Sequence, residues 1–154
     1  MFYEPKNGYP FEIDPLNALV FPRPIGWISS LSQNGIPNLA PYSFFNAVAY
    51  TPPQVMFAAS FEPNTNVYKD SVANILKTKE FVVNFVTNTM SQKMNLSSID
   101  APKNIDEFDF SMIKKRKSKK VKPYSVLNSP VNLECRLLQK VDLKSSLKNK
   151  FNNK

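Results

Sequence analysis

Asn34-Gly35-Ile36-Pro37-Asn38-Leu39-Ala40-Pro41-Tyr42-Ser43-Phe44-Phe45-Asn46-Ala47-Val48 is the stretch whose reading decides the fold. It opens on Asn-Gly, a pair that readily takes positive φ and closes tight hairpins. Ile36 to Phe44 then reads as a returning strand. Pro37 and Pro41 cannot donate to a ladder, so they imply an edge or bulged course. Before the turn, Ile25 to Leu31 is β-branched and aromatic and reads as the outgoing strand. Pro22 and Pro24 flank Arg23 and forbid helix ahead of it. After the stretch, Thr51-Pro52-Pro53 is a stop. Gln54 to Ser60, nearly all apolar, reads as a third strand.

Further along, Asn64 to Tyr68 reads as a loop. Asp70 is expected to cap a short helix through Lys77, with Val72, Ile75 and Leu76 forming one apolar stripe. Phe81 to Val86 reads as a fourth strand and Thr89 to Leu96 as a second short helix. Ser98 to Ser111 is polar, acidic and loop-like. Val131 to Val141 holds a fifth strand. Tyr9 to Asn17 is a lead-in segment broken by Pro10 and Pro15, and no internal repeat interrupts the order. Short strands, turn signals and two small helices together predict a mainly β protein, an antiparallel barrel with helical insertions.

The chain of 154 residues suits one domain or a fragment of one, and its 42% hydrophobic content supports a real core. The net charge of +8 is local. Much of it lies in Lys114-Lys115-Arg116-Lys117-Ser118-Lys119-Lys120-Val121-Lys122, and more in Lys144, Lys148, Lys150 and Lys154. Cys135 is the single cysteine, so no intramolecular disulfide forms, and it reads as a small apolar strand residue. There is no histidine. A zinc cluster and a Ser-His-Asp or Cys-His nucleophile are therefore excluded within the chain. If the protein is an enzyme, a bound organic cofactor is the simplest source of its chemistry. No signal-peptide pattern opens the chain and no apolar run approaches the length of a membrane span, so the expectation is a cytoplasmic protein with no membrane partner.

The motifs resemble a known family. Arg23-Pro24-Ile25-Gly26-Trp27-Ile28-Ser29-Ser30 is similar to the first motif of the flavin-reductase-like, FMN-binding split-barrel family. The Asn34–Val48 stretch matches the next, and the pattern continues through Pro52-Pro53-Gln54-Val55-Met56-Phe57. It runs on through Lys69-Asp70-Ser71-Val72-Ala73-Asn74-Ile75 and Glu80-Phe81-Val82-Val83-Asn84-Phe85-Val86. Weaker matches follow at Val121-Lys122-Pro123 and Ser129-Pro130-Val131-Asn132-Leu133-Glu134-Cys135. The resemblance covers roughly Pro10 to Val141. It implies a Greek-key-like split β-barrel, a homodimer holding FMN near the subunit interface, and hydride transfer from NAD(P)H to free flavin or another acceptor. Some members only carry electrons, so a non-catalytic flavin carrier is the alternative.

An isoalloxazine ring needs packing on its face and hydrogen bonds at its edge. On the matching positions, Asn38, Ala40, Pro41, Tyr42, Ser43 and Asn46 are expected at the ring and ribityl chain. Lys69 and Ser71, beside a helix start, are expected at the phosphate. Ser29 and Ser30 are expected to add hydroxyl contacts. Taken alone, Pro37 to Asn46 reads as an edge strand, Lys69 and Ser71 as a solvated helix start, and Trp27 as packing. The ordered motifs together favour the flavin reading. The basic run could contact nucleic acid, but no aromatic residue interleaves it, so a solvated loop is favoured. No catalytic residue is assigned.

The resemblance also implies later strands, including a Gly-rich one ending near a His. Here the glycines are Gly8, Gly26 and Gly35 only. The expectation is a flavin-reductase-like domain over residues 1–143 with a shortened C-terminus. A polar basic tail over 144–154 follows, expected to be frayed.

Overall fold

The computed structural model describes residues 2–61, 65 and 67–143. It divides into two compact units, residues 1–23 with 141–154 and residues 24–140. In the first, Pro15–Leu19 form helix α1. Asp14 caps it, its carboxylate accepting from Leu16 N–H at 2.9 Å, and Pro15 takes the first turn, where no donor is needed. The expected basic tail lies outside the described residues.

The second unit holds the strands. β1 (Gly26–Leu31), β2 (Pro37–Tyr42), β3 (Phe45–Tyr50) and β4 (Pro53–Phe57) precede helix α2 (Asp70–Thr78) and β5 (Glu80–Asn84). Helices α3 (Ser91–Leu96) and α4 (Glu107–Phe110) follow, then the short strands β6 (Lys115–Arg116) and β7 (Ser125–Val126), and finally β8 (Asn132–Arg136). The main sheet has the order β2-β1-β5-β8, antiparallel throughout. β3 pairs with β4 and β6 with β7. The expected β1–β2 hairpin forms, with Gly26 opposite Tyr42 and Leu31 opposite Pro37, and Gly35 takes a φ of 81° in its turn.

β1 and β5 are buried on both faces, which is why neither alternates in polarity. Trp27 and Leu39 pack on one side with Met90, Phe108, Ile113 and Val126. Ile28, Tyr42, Phe81 and Val83 pack on the other with Phe45 and Ile75. Between β1, β5 and the β7 segment lies a polar seam. The Asn84 amide nitrogen donates to the Trp27 carbonyl at 3.0 Å and to Ser29 Oγ at 3.2 Å. Its oxygen accepts from Val126 N–H at 2.8 Å and from the Asn132 amide at 2.7 Å. Every polar atom of this buried side chain is matched, as burial requires.

The elements depart from expectation in several places, and the fifth strand, expected to reach Val141, ends at Arg136. The returning strand ends at Tyr42 and a separate β3 follows. The Ser98–Ser111 segment contains α4, capped by Asp106 through Phe108 N–H at 2.9 Å. Lys69, not Asp70, occupies the N-cap of α2. The basic run is pinned rather than loose. Glu134 accepts from Lys119 and Lys120 N–H at 2.8 and 2.5 Å, Glu80 accepts from Lys122 N–H at 2.9 Å, and Val121 and Pro123 are buried.

Candidate functional site

β2 lies at the edge of the main sheet. Alternate residues of a strand point their N–H groups to opposite sides. Leu39 N–H points away from β1 and donates to a Glu107 carboxylate oxygen at 3.1 Å. Pro37 and Pro41 share its parity and have no N–H. The outer edge of β2 thus carries one donor, and Glu107 takes it. The prolines that make β2 an edge strand also leave its outer face free of unpaired amides.

Beside this edge lies a cleft of about 610 Å³. β2 contributes Asn38, Ala40, Pro41 and Tyr42, the start of α2 contributes Lys69, Asp70 and Ser71, and the 98–103 loop with Glu107 completes the lining. Ala40, Pro41, Ile99, Ala101 and Pro102 give it an apolar portion. The first amides of α2 have no intrahelical acceptor, and no side chain caps them. With Lys69 beside them, that end suits an anion, although Asp70 opposes it. The lining is mixed in charge, with Lys69 and Lys103 against Asp70, Asp100 and Glu107.

A buried polar chain underlies the cleft. Glu107 is 6% exposed and Asn38 7%. The Asn38 amide nitrogen donates to Glu107 at 3.0 Å, while its oxygen accepts from Ser30 at 3.1 Å and Ser71 at 2.7 Å. Ser71 also acts on the Tyr42 phenol, holding its pKa down against the larger effect of burial. Burial pushes the Glu107 carboxyl above its ordinary value, against the donors from Leu39 and Asn38 and with help from the Asp106 charge. Burial likewise raises the Tyr42 phenol, against the opposing pull of Ser71 and with Asp70 and Glu107 adding to the rise, so the hydroxyl keeps its proton.

Six of the ten expected site residues line the cleft: Asn38, Ala40, Pro41, Tyr42, Lys69 and Ser71. Ser29 and Ser30 are fully buried in β1. The Ser29 hydroxyl donates to the Tyr124 carbonyl at 2.5 Å, and Ser30 is committed to Asn38. Ser43 lies between β2 and β3, outside the lining. Asn46 is exposed on β3, its side-chain oxygen accepting from Ala47 N–H at 2.9 Å. Glu107 and the 98–103 wall were not expected. The available signal was Asp106-Glu107-Phe108, an N-cap, a first-turn acid and an apolar residue ending the polar stretch.

An antiparallel, mainly β barrel with short helices and a cleft along one edge strand defines a split-barrel class of domain. A structure from Shewanella frigidimarina described as having a split barrel domain superposes with a TM-score of 0.75 at 18% identity, over 83% of this chain and 62% of that one. The chain belongs to the flavin reductase like domain family, whose model matches residues 18–147. It is 42% identical over 124 residues to an uncharacterized protein of Aquifex aeolicus, spanning 80% of this chain and 63% of that protein. It is 36% identical over 132 residues to one of Deinococcus radiodurans, spanning 83% and 58%. The chain thus covers less than two thirds of the curated relatives it matches. Among solved structures, the 2-nitrobenzoate 2-nitroreductase of Pseudomonas fluorescens is 29% identical with a TM-score of 0.75, over 84% of this chain and 61% of that one. Nitrilotriacetate monooxygenase component B of Bacillus cereus shares the fold with a TM-score of 0.82 at 24% identity, over 95% and 72%.

Proposed function

We propose that the protein binds FMN in the β2–α2 cleft and acts as a flavin-reductase-type oxidoreductase, receiving hydride from NAD(P)H and passing electrons to free flavin or another acceptor. The observation that carries this reading is the pairing, in one cleft of a flavin reductase like domain, of an apolar slot with an uncapped helix start beside Lys69. The slot offers apolar packing to a planar ring and the helix start fits a phosphate. Bound FMN would supply a hydride-accepting ring, a capacity that ordinary side chains lack.

The residues have separable roles. Ala40 and Pro41 lend the ring a close, rigid backbone. Tyr42 holds its phenolic proton in the cleft wall. Lys69 and the first amides of α2 hold the phosphate. Ser30 braces this wall from β1 through its bond to Asn38, whereas Ser29, Ser43 and Asn46 lie outside the cleft lining. In this reading residues 1–143 belong to a flavin-reductase-like domain followed by a basic tail over 144–154, the molecule is a cytoplasmic homodimer, and its ligands are nucleotides rather than nucleic acid.

Purified protein, reconstituted with FMN, is expected to show a perturbed flavin absorbance spectrum that bleaches on anaerobic addition of NADH or NADPH. Bound flavin that fails to bleach would assign the protein as an electron carrier. Absence of flavin binding would reject both readings.

A further inference from the structure

We propose that Glu107 is a positioning residue that fixes which way the Asn38 side-chain amide faces, and through it the hydroxyl of Ser71 at the start of α2. The claim for the cleft's ligand rests on the FMN reading above; the claim for the amide's orientation does not.

The geometry leaves Asn38 little choice. Glu107 presents two acceptor oxygens to two donors, Asn38 Nδ2 at 3.0 Å and Leu39 N–H at 3.1 Å. With the amide nitrogen drawn to the carboxylate, the amide oxygen must face the other way, where Ser30 and Ser71 both donate to it. The Ser71 proton is thereby committed to Asn38, and its lone pairs are left for other donors. Ser30 also accepts from Asn74 of α2 at 3.2 Å, a second tie between the sheet and the helix that bears Lys69. Helix α4 is only one turn long, but it is anchored from both ends. Asp106 caps it, and Lys115 pairs with Asp106 at 2.5 Å and with Asp109 at 2.8 Å. One buried carboxylate on a braced turn therefore sets the donor and acceptor pattern of the cleft floor.

Amide and carboxylate can exchange places here without losing a bond. In E107Q, a glutamine that still accepts from Leu39 N–H turns its own amide nitrogen toward Asn38. Asn38 must then flip, presenting nitrogen to Ser30 and Ser71, and both hydroxyls must rotate. In N38D, two carboxylates meet and repel. In the N38D/E107Q swap, the introduced glutamine donates to the introduced aspartate, and that aspartate accepts from both serines. The original pattern returns with the same net charge.

The test is FMN titration by fluorescence quenching, with the visible flavin spectrum, on the full chain of wild type, both single variants and the swap. E107Q and N38D are each expected to bind FMN at least tenfold more weakly with a shifted spectrum, and the swap to recover most of both. Recovery separates orientation from mere folding, because the swap carries both substitutions. A single variant that binds and absorbs as wild type does, or a swap no better than the worse single, overturns the proposal. If wild type itself binds no FMN, the reading of the cleft fails, and the orientation claim is decided by the flavin-free protein. There the Asn38 side-chain amide resonances are expected to shift in E107Q by more than those of Asn74. Unshifted resonances overturn it.

Discussion

At Gly26, β1 passes directly beneath Phe45. A methyl group there would lie 2.7 Å from Phe45 Cδ2 and 3.2 Å from its Cβ, and Phe45 is itself a buried member of the core. G26A is therefore expected to cost about 1–3 kcal/mol, the usual range for overpacking. Urea denaturation would show it as a lowered midpoint, and an unchanged midpoint would mean the ring yields freely. Cys135 makes the opposite kind of case. Burial pushes its thiol up to about 11, so it is inert in the fold. At pH 8 roughly one molecule in a thousand would carry the thiolate, against about a quarter for an unfolded chain. Ellman's reagent should react roughly a hundredfold faster in denaturant than in buffer, and rapid reaction of the folded protein would refute the assignment. Ser29 and Ser30 mark what single residues conceal. Their hydroxyls look available for a ligand in the sequence, but the strand buries both and spends them on Tyr124, Asn84 and Asn38.

Elements were legible where local chemistry and packing agree. The Asn34-Gly35 turn, the β1–β2 hairpin, α2 and β5 follow from turn residues, prolines and apolar spacing. β3 was hidden because Asn46, Ala47 and Val48 are all exposed, so no period of two marks the strand. α4 was hidden because four residues cannot show a helical period. With it went Glu107, whose partners lie 68 and 69 positions away. Six cleft residues were legible because β2 and the α2 start carry their own signals, whereas the 98–103 wall is placed only by tertiary contact. Glu107 also makes a prediction of pH dependence. The folded chain holds its proton more tightly than the unfolded chain, where a glutamate has its ordinary value of 4.5. Its contribution to stability is complete below that value and is lost as pH rises through the raised folded value. E107Q has no proton to lose. The melting temperature of wild type relative to E107Q should therefore fall as pH rises from about 4 to about 7. A gap that widens instead would mean that Asn38 and Leu39 stabilise the carboxylate beyond the cost of burying it.

On the scale of the whole molecule, the charge and the cleft are separate. The chain carries +8, yet the cleft lining has two lysines against three acids. Seven cationic residues lie between Lys114 and Lys122 instead, on a segment whose backbone Glu134 and Glu80 hold in place. Fixed charge of this kind acts on an approaching dianion from a distance. A compact unit the length of residues 24–140 has a radius of gyration of about 13 Å. The screening length is about 30 Å at 0.01 M salt but only about 8 Å at 0.15 M. At low salt the whole unit lies within one screening length, and the basic segment should speed the encounter with FMN without touching it. At physiological salt that help should be mostly gone. Stopped-flow quenching is therefore expected to show an association rate for FMN that falls several-fold between these two salt concentrations, with a nearly constant dissociation rate. A variant with Lys117, Lys119, Lys120 and Lys122 changed to glutamine should associate more slowly at low salt and show a flatter dependence. An association rate that ignores salt in wild type would confine the role of the basic segment to its own packing. A salt effect carried by dissociation would instead place it on contacts inside the cleft, with Lys69 as the first candidate.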